Sequence, residues 1–261
     1  MDLGLKGRVA IVAAASKGLG RAVVEELASE GAHVAICART ARTLEDTAAS
    51  IEKSTGREVL HRALDVTDSK AVTDFVATAE TRFGHIDICV TNSGGPPSNL
   101  FRNTPPEAWR AALDQLLMST IYFSRETLPR RQKNKWGRLI TSSAVEQPVD
   151  GLLLSNSIRA AVTGLARTLA NKYAAHGIKV NNVCPGYTRI ARTDDLASTI
   201  PARTGSKREE VIADWQREIP AGRLGTPQEF AAVVAFLASE RASYVNGTSI
   251  AVDGGLVRSL L

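Results

Sequence analysis

Gly18 and Gly20 close the run Ala13-Ala14-Ala15-Ser16-Lys17-Gly18-Leu19-Gly20, which joins a short apolar stretch to a segment of helical period. Glycine lets the backbone turn tightly and lets an anion approach the free N–H groups of a helix start, where the dipole also favours negative charge. A pyrophosphate is the ligand this turn suits. Two glycines before a helix are a weak signal alone, but here they follow the first strand and open the first helix. The second apolar run ends in Ala38-Arg39-Thr40, where a dinucleotide fold commonly places an acid for the ribose hydroxyls. Arg39 cannot accept those bonds, but together with Lys17 it can hold a 2′-phosphate. NADP(H) is therefore expected over NAD(H).

These residues need a scaffold, and the apolar pattern supplies one. Strands are expected over Arg8–Ala15, His33–Ala38, Glu58–Val66, Ile86–Thr91, Arg138–Ser142, Lys179–Cys184 and Ser249–Val252. Helices are expected over Leu19–Ser29, Ala41–Ser54, Ser69–Arg82, one long segment after Pro105-Pro106, Asn156–Ala175, and a last one after Thr226-Pro227. Short strands alternating with helices of ten or more residues imply right-handed crossovers and a parallel sheet. The fold class is α/β, a doubly wound parallel sheet (Rossmann fold) in a single domain, 1–261. Residues 186–225 break the rhythm, with one helix expected over Ser206–Glu218, and read as a substrate lid outside the strand ends.

The 261 residues are 44% hydrophobic and 23% charged, ample for a buried core and against disorder. The net charge of +5 comes from 32 basic and 27 acidic residues interspersed along the chain, so no nucleic-acid surface is expected. The densest basic run, Arg130, Arg131, Lys133, Lys135 and Arg138, reads as a solvated loop feeding the strand at Leu139. Cys37, Cys89 and Cys184 form neither a disulfide framework nor a zinc spacing, and the four histidines are scattered. No membrane span or targeting segment shows, so a cytoplasmic location is expected and no metal.

Further motifs stand in order along the chain. Asp65-Val66 follows the third strand, Asn92-Ser93-Gly94 the fourth and Pro185-Gly186 the sixth. Gly222-Arg223-Leu224-Gly225, Phe236-Leu237-Ala238-Ser239 and Val252-Asp253-Gly254-Gly255 form the tail. With the glycine turn, these resemble the short-chain dehydrogenase/reductase family over nearly the whole chain, and within it the 3-oxoacyl-acyl-carrier-protein reductases. The resemblance implies cofactor contacts at Ser16, Lys17, Gly18, Leu19, Gly20, Arg39, Asp65, Val66, Asn92, Ser93, Gly94, Arg159, Pro185, Gly186 and Thr188. It also implies a small-molecule or acyl-carrier-linked carbonyl substrate and a homotetramer or homodimer.

The family's proton-transfer residues are a Ser, a Tyr, a Lys four residues later and an Asn from the preceding helix. Here Ser155 stands at the Tyr, Arg159 at the Lys and Leu116 at the Asn. Counting back from Ser155 places the Ser at Ser142, whereas gapless alignment from Gly137-Arg138 gives Ala144, beside Ser143. Ala14 for a motif glycine, and Ile190 where the family often has Thr, are milder departures. A serine hydroxyl is a far poorer acid than a phenol of pKa about 10, and Arg159 supplies charge but relays no proton. Tyr187, directly after Pro185-Gly186, is the candidate acid, with an ordinary pocket aromatic as its alternative. Ser142, Ser143, Ser155 and Arg159 are candidates for positioning the substrate oxygen. Three functions stay open: an NADP(H)-dependent carbonyl reductase with an atypical site, a cofactor binder without turnover, and a non-redox lyase. The arginines of the excursion, Arg189, Arg192, Arg203, Lys207 and Arg208 with one lysine among them, are matched by Asp194, Asp195, Glu209 and Glu210 and read as a mixed solvated surface.

Overall fold

A strand buried on both faces has no polar side to show, and Val9–Ala13 (β1) is apolar throughout and wholly buried. The computed structural model of the chain describes residues 2–143, 151–200 and 207–258, apart from the side chain of Lys133. The other strands are His33–Ala38 (β2), Val59–Ala63 (β3), Ile88–Thr91 (β4), Gly137–Ser142 (β5), Ile178–Pro185 (β6) and Ser249–Val252 (β7). They form one seven-stranded parallel sheet in the order β3-β2-β1-β4-β5-β6-β7. The order reverses between β1 and β4, which opens a crevice at their C-terminal ends.

Successive residues of a strand face opposite ways, so each strand feeds two cores. Ala10, Val12, Val34, Ile36 and Val90 pack against Gly18–Ser29 (α1), Ala41–Thr55 (α2) and Pro227–Ala238 (α9), which contribute Val23, Leu27, Leu44, Ile51, Phe230 and Val234. Ile11, Ala35, Cys89 and Leu139 face Ser69–Phe83 (α3), Ser119–Asn134 (α5) and Leu153–Tyr173 (α6), with Phe75, Val76, Phe123 and Ala166 between them. Burying each large apolar side chain stabilises the fold by about 1.5–3 kcal/mol. Local signals set the helix ends. Asp68 accepts from the Ala71 N–H to start α3, and Thr226 with Glu229 forms a capping box on α9.

The long helix expected after Pro105-Pro106 is broken. Pro106–Leu113 (α4) passes into a π-helical turn, Asp114–Met118, before α5 begins. The excursion holds Ala191–Thr199 (α7), which sequence periodicity did not reveal, and Arg208–Glu218 (α8). Ser206, the expected start of the latter, lies outside the described residues, as do Arg203 and Ala144.

The solvated-loop reading of the basic run does not survive. Arg130 and Arg131 belong to α5, and Arg138 is a buried residue of β5 that donates to the Ser239 carbonyl and lies over the Trp136 ring. Arg131 is 0% exposed, its stem packed where any Cβ on Gly137 would sit, 2.5 Å from its Cδ. Its guanidinium has no oxygen partner among the described residues and only the Cys89 thiol beside it, and burial lowers its pKa. A buried charge offset only by a thiol is a net cost, so Arg131→Met should stabilise the protein by about 2 kcal/mol, raising the thermal midpoint by roughly 4–8 °C. Arg131→Ala, which also opens a cavity, should lower it. A midpoint that falls equally in both variants would show that the charge is satisfied.

Candidate active site

The glycine turn follows β1 directly. Ala14 takes a φ of 51° and Gly18 a φ of 58°, both in the left-handed region. Ala14 thus keeps a conformation that glycine adopts more cheaply, at a strain of about 1–2 kcal/mol. Lys17 is the N-cap of α1 but caps nothing with its side chain, which leaves N–H groups of the first turn available to an anion. Gly20 is buried behind the turn instead of facing the ligand side. A Cβ there would lie 2.4 Å from the Ala14 carbonyl and 2.9 Å from Asn92 Nδ2.

One cavity of about 680 Å³ occupies the crevice, within the range of small-molecule and cofactor sites. Its outer part is lined by Ser16, Lys17, Gly18 and Leu19, by Arg39 at the end of β2, and by Asp65 and Val66 after β3. Asn92, Ser93 and Gly94 after β4 line the cavity as well, as do Pro185 at the end of β6 and Gly186 and Thr188 beyond it. Ser142, Ser143, Ser155, Arg159 and Tyr187 line the inner part. Every site residue expected from the sequence except Gly20 therefore meets in a single cavity. Among the described residues no cluster of metal-ligating groups occurs and no helix is long and apolar enough to cross a membrane.

The helical spacing of four brings Arg159 onto Ser155. Its Nε donates to Ser155 Oγ at 3.2 Å, and a terminal nitrogen donates to the Ser142 carbonyl. Burial lowers the Arg159 pKa to about 10, with the charge of Arg192 acting in the same direction. Ser143 Oγ is engaged with Thr163 Oγ1 at 2.9 Å and the Arg159 carbonyl at 3.3 Å, so it secures α6 to β5. Leu116 is buried in the π turn, whose neighbouring Gln115 donates to the Gly94 carbonyl at 2.8 Å. π turns often occur where a side chain must be re-aimed, and here the re-aimed one is Gln115.

Tyr187 stacks on Trp215 of α8, ring centroids 4.4 Å apart and 12° from parallel. Burial raises its pKa to about 12, with Glu218 adding to the effect. Thr188 pairs with Gly225, and Gly186 lies against Asp253, where a Cβ would come within 2.7 Å of backbone. Arg223 holds Glu229 as a carboxylate down to about 2, so the loop that carries Gly225 is pinned to the start of α9. The excursion is not uniformly a solvated surface. Arg192 of α7 is partly buried on the cavity, lies over Gly95 and donates to the Pro96 carbonyl. Gln115, Asp114, Asn156 and Arg192 are lining residues that motif matching did not find; the one available signal was the concentration of arginine in the excursion.

Sheet order, crevice and glycine turn together define a Rossmann-type α/β protein. Residues 13–257 match the family model described as "Enoyl-(Acyl carrier protein) reductase". The 3-oxoacyl-[acyl-carrier-protein] reductase FabG of Haemophilus influenzae is 33% identical over 257 residues, covering 98% of this chain and 100% of its own. The short-chain reductase protein NovJ of Streptomyces niveus is 34% identical over 248 residues, 95% of this chain and 93% of its own. The crystal structure of L-sorbose reductase from Gluconobacter frateurii, complexed with NADPH and L-sorbose, superposes with a TM-score of 0.94 at 30% identity and full coverage of both chains. The chain belongs to the short-chain dehydrogenase/reductase family of oxidoreductases.

Proposed function

We propose that the protein is an NADP(H)-dependent reductase of a small-molecule or acyl-carrier-linked carbonyl compound, working with a non-standard proton-transfer site. The observation that carries this reading is the continuity of the cavity, from Lys17 and Arg39 at one end to Ser155 and Arg159 at the other. The cradle fits a dinucleotide: the first-turn N–H groups of α1 for the pyrophosphate, Lys17 and Arg39 for a 2′-phosphate, Asp65 and Val66 beside the adenine, and Arg159 at the nicotinamide ribose. Bound there, the reduced cofactor supplies the hydride that converts the carbonyl carbon to an alcohol carbon. The developing charge on oxygen is met by Arg159, cationic at neutral pH, and by Ser155, whose hydroxyl accepts from Arg159 and so has its own proton to offer. Tyr187 is the phenol on the cavity wall and delivers the proton; even raised to about 12, its pKa lies well below that of the alcohol formed. The described parts of 186–225, with α7 and α8, act as the lid, and the reading extends to a cytoplasmic homotetramer or homodimer, an assembly that a mass measurement in solution would decide.

The direct test mixes purified protein with NADPH and a panel of ketones, aldehydes, quinones and acyl thioesters. Oxidation of NADPH is expected. Quenching or thermal stabilisation without oxidation would favour a binder, and no binding would sink both readings. Tyr187→Phe should lower turnover by about 100-fold, the usual scale of a general acid; unchanged turnover would remove Tyr187 from the mechanism. Because Arg159 loses its charge only near pH 10 and Tyr187 higher still, kcat should hold level on the alkaline side up to about pH 10. A fall nearer neutrality would identify a different acid.

A further inference from the structure

Two guanidiniums share the inner part of the cavity. Arg159 comes from α6 and is tied to the Ser142 carbonyl and the Ser155 hydroxyl, both neutral acceptors. Arg192 comes from α7 and is tied to the Pro96 carbonyl, again neutral. No carboxylate among the described residues lies within ion-pair distance of either, whereas Arg208, Arg217 and Arg223 of the same excursion each close on one. Burial lowers the pKa of both; Cys184 tempers the effect on Arg159 and Asp195 that on Arg192, while Arg192 itself pushes Arg159 further down. Like charges, partly desolvated and facing one cavity without a counter-ion, are costly unless an anion completes them.

The phosphates of the cofactor have other partners in the reading above, on which this inference rests. Gly18, at the pyrophosphate end, is faced by Ile190, whose Cγ2 lies 3.6 Å from where a Cβ would be. Arg192, two residues further along, instead lies over Gly95, so close that a Cβ there would fall 2.8 Å from its Nε. The guanidinium is thereby placed on the loop after β4, near enough to Arg159 for the two charges to act on one another. We propose that Arg159 and Arg192 form an anion subsite and that the substrate is a short oxo acid, its carbonyl oxygen at Ser155 and Arg159 and its carboxylate at Arg192. This selects the small-molecule arm of the proposed function over an acyl thioester.

The test compares kcat/KM for short oxo acids with that for their methyl esters, which keep the skeleton and lose the charge. Preference for the acid is expected, and Arg192→Met should reduce the acid-to-ester ratio by about 30-fold, the scale of a charge-assisted contact. Arg192→Lys should restore part of the ratio, and Gly95→Ala, which displaces the guanidinium through a movable side chain, should lower it. Equal use of acid and ester would overturn the inference while leaving the reductase reading intact. Weaker NADPH binding by Arg192→Met with an unmoved ratio would assign Arg192 to the cofactor and overturn it too. A second readout needs no turnover: calorimetric titration of malonate into the NADPH-bound protein should show saturable binding that Arg192→Met removes. Absence of such binding in the unmodified protein would sink the subsite, whereas its presence without oxidation of any carbonyl would sink only the reductase reading.

Discussion

Replacing Gly20 with alanine is expected to destabilise the protein by about 3 kcal/mol and to abolish NADPH binding with it. The added Cβ would sit 2.4 Å from the Ala14 carbonyl and 3.0 Å from Ala15 Cα, both backbone atoms of the turn, so no side chain can swing aside. Relief requires moving α1 away from β1 or unfolding the turn. Either displaces Gly18 and the first-turn N–H groups that the cavity presents to an anion. Asn92, which donates to the same Ala14 carbonyl at 3.5 Å, would be pushed as well, carrying the loop after β4 with it. The measurements are a melting curve, with a drop of roughly 6–12 °C expected, and an NADPH titration of the same sample. A variant that binds NADPH as tightly as the unmodified protein would show that helix and turn are not packed as described.

Reversing the charge at Arg39 should change which dinucleotide is used. Arg39 and Lys17 are exposed side chains at the outer end of the cavity, and no ion pair involves either among the described residues. Each charge-assisted contact to a 2′-phosphate is worth about 1.5–3 kcal/mol, or about 10- to 100-fold in affinity. Arg39→Asp combined with Lys17→Ala is expected to weaken NADPH binding by at least about 100-fold. The introduced carboxylate should improve NADH binding, since it can accept from the ribose hydroxyls. Because both positions are exposed, the loss should shrink as salt is raised. Equal affinities for the two cofactors in the unmodified protein would remove these residues from cofactor choice.

The order of elements was legible because its signals are local. Runs such as Val9–Ala13 and Val34–Cys37 are apolar because both faces are covered, and the chain had to place a helix between each pair of parallel strands. Ser155 and Arg159 could be paired on paper because four residues is one helical turn. Their meeting with Lys17, Arg39 and Tyr187 in a single cavity followed from where parallel strands end. The errors fall where a side chain's environment comes from a distant segment. Arg131 and Arg138 looked solvated because a charge has no local reason to be buried; Gly137, Trp136 and the Ser239 carbonyl provide the room and the partners. The break at Asp114–Met118 left no mark in the periodicity, since its effect is to turn Gln115 toward Gly94 across the crevice.

The glycine turn shows the division most clearly. Residue types alone determined that an anion could approach the start of the first helix and that Lys17 and Arg39 could add charge to it. Only the tertiary structure decided that Gly20 serves packing against Ala14 and Asn92 instead of lining the cavity, and that Arg192, one arginine among several in a mixed excursion, stands on the cavity with Arg159. The reason is physical: backbone conformation and helical spacing are set by neighbours in sequence, whereas desolvation and the pairing of charges are set by neighbours in space.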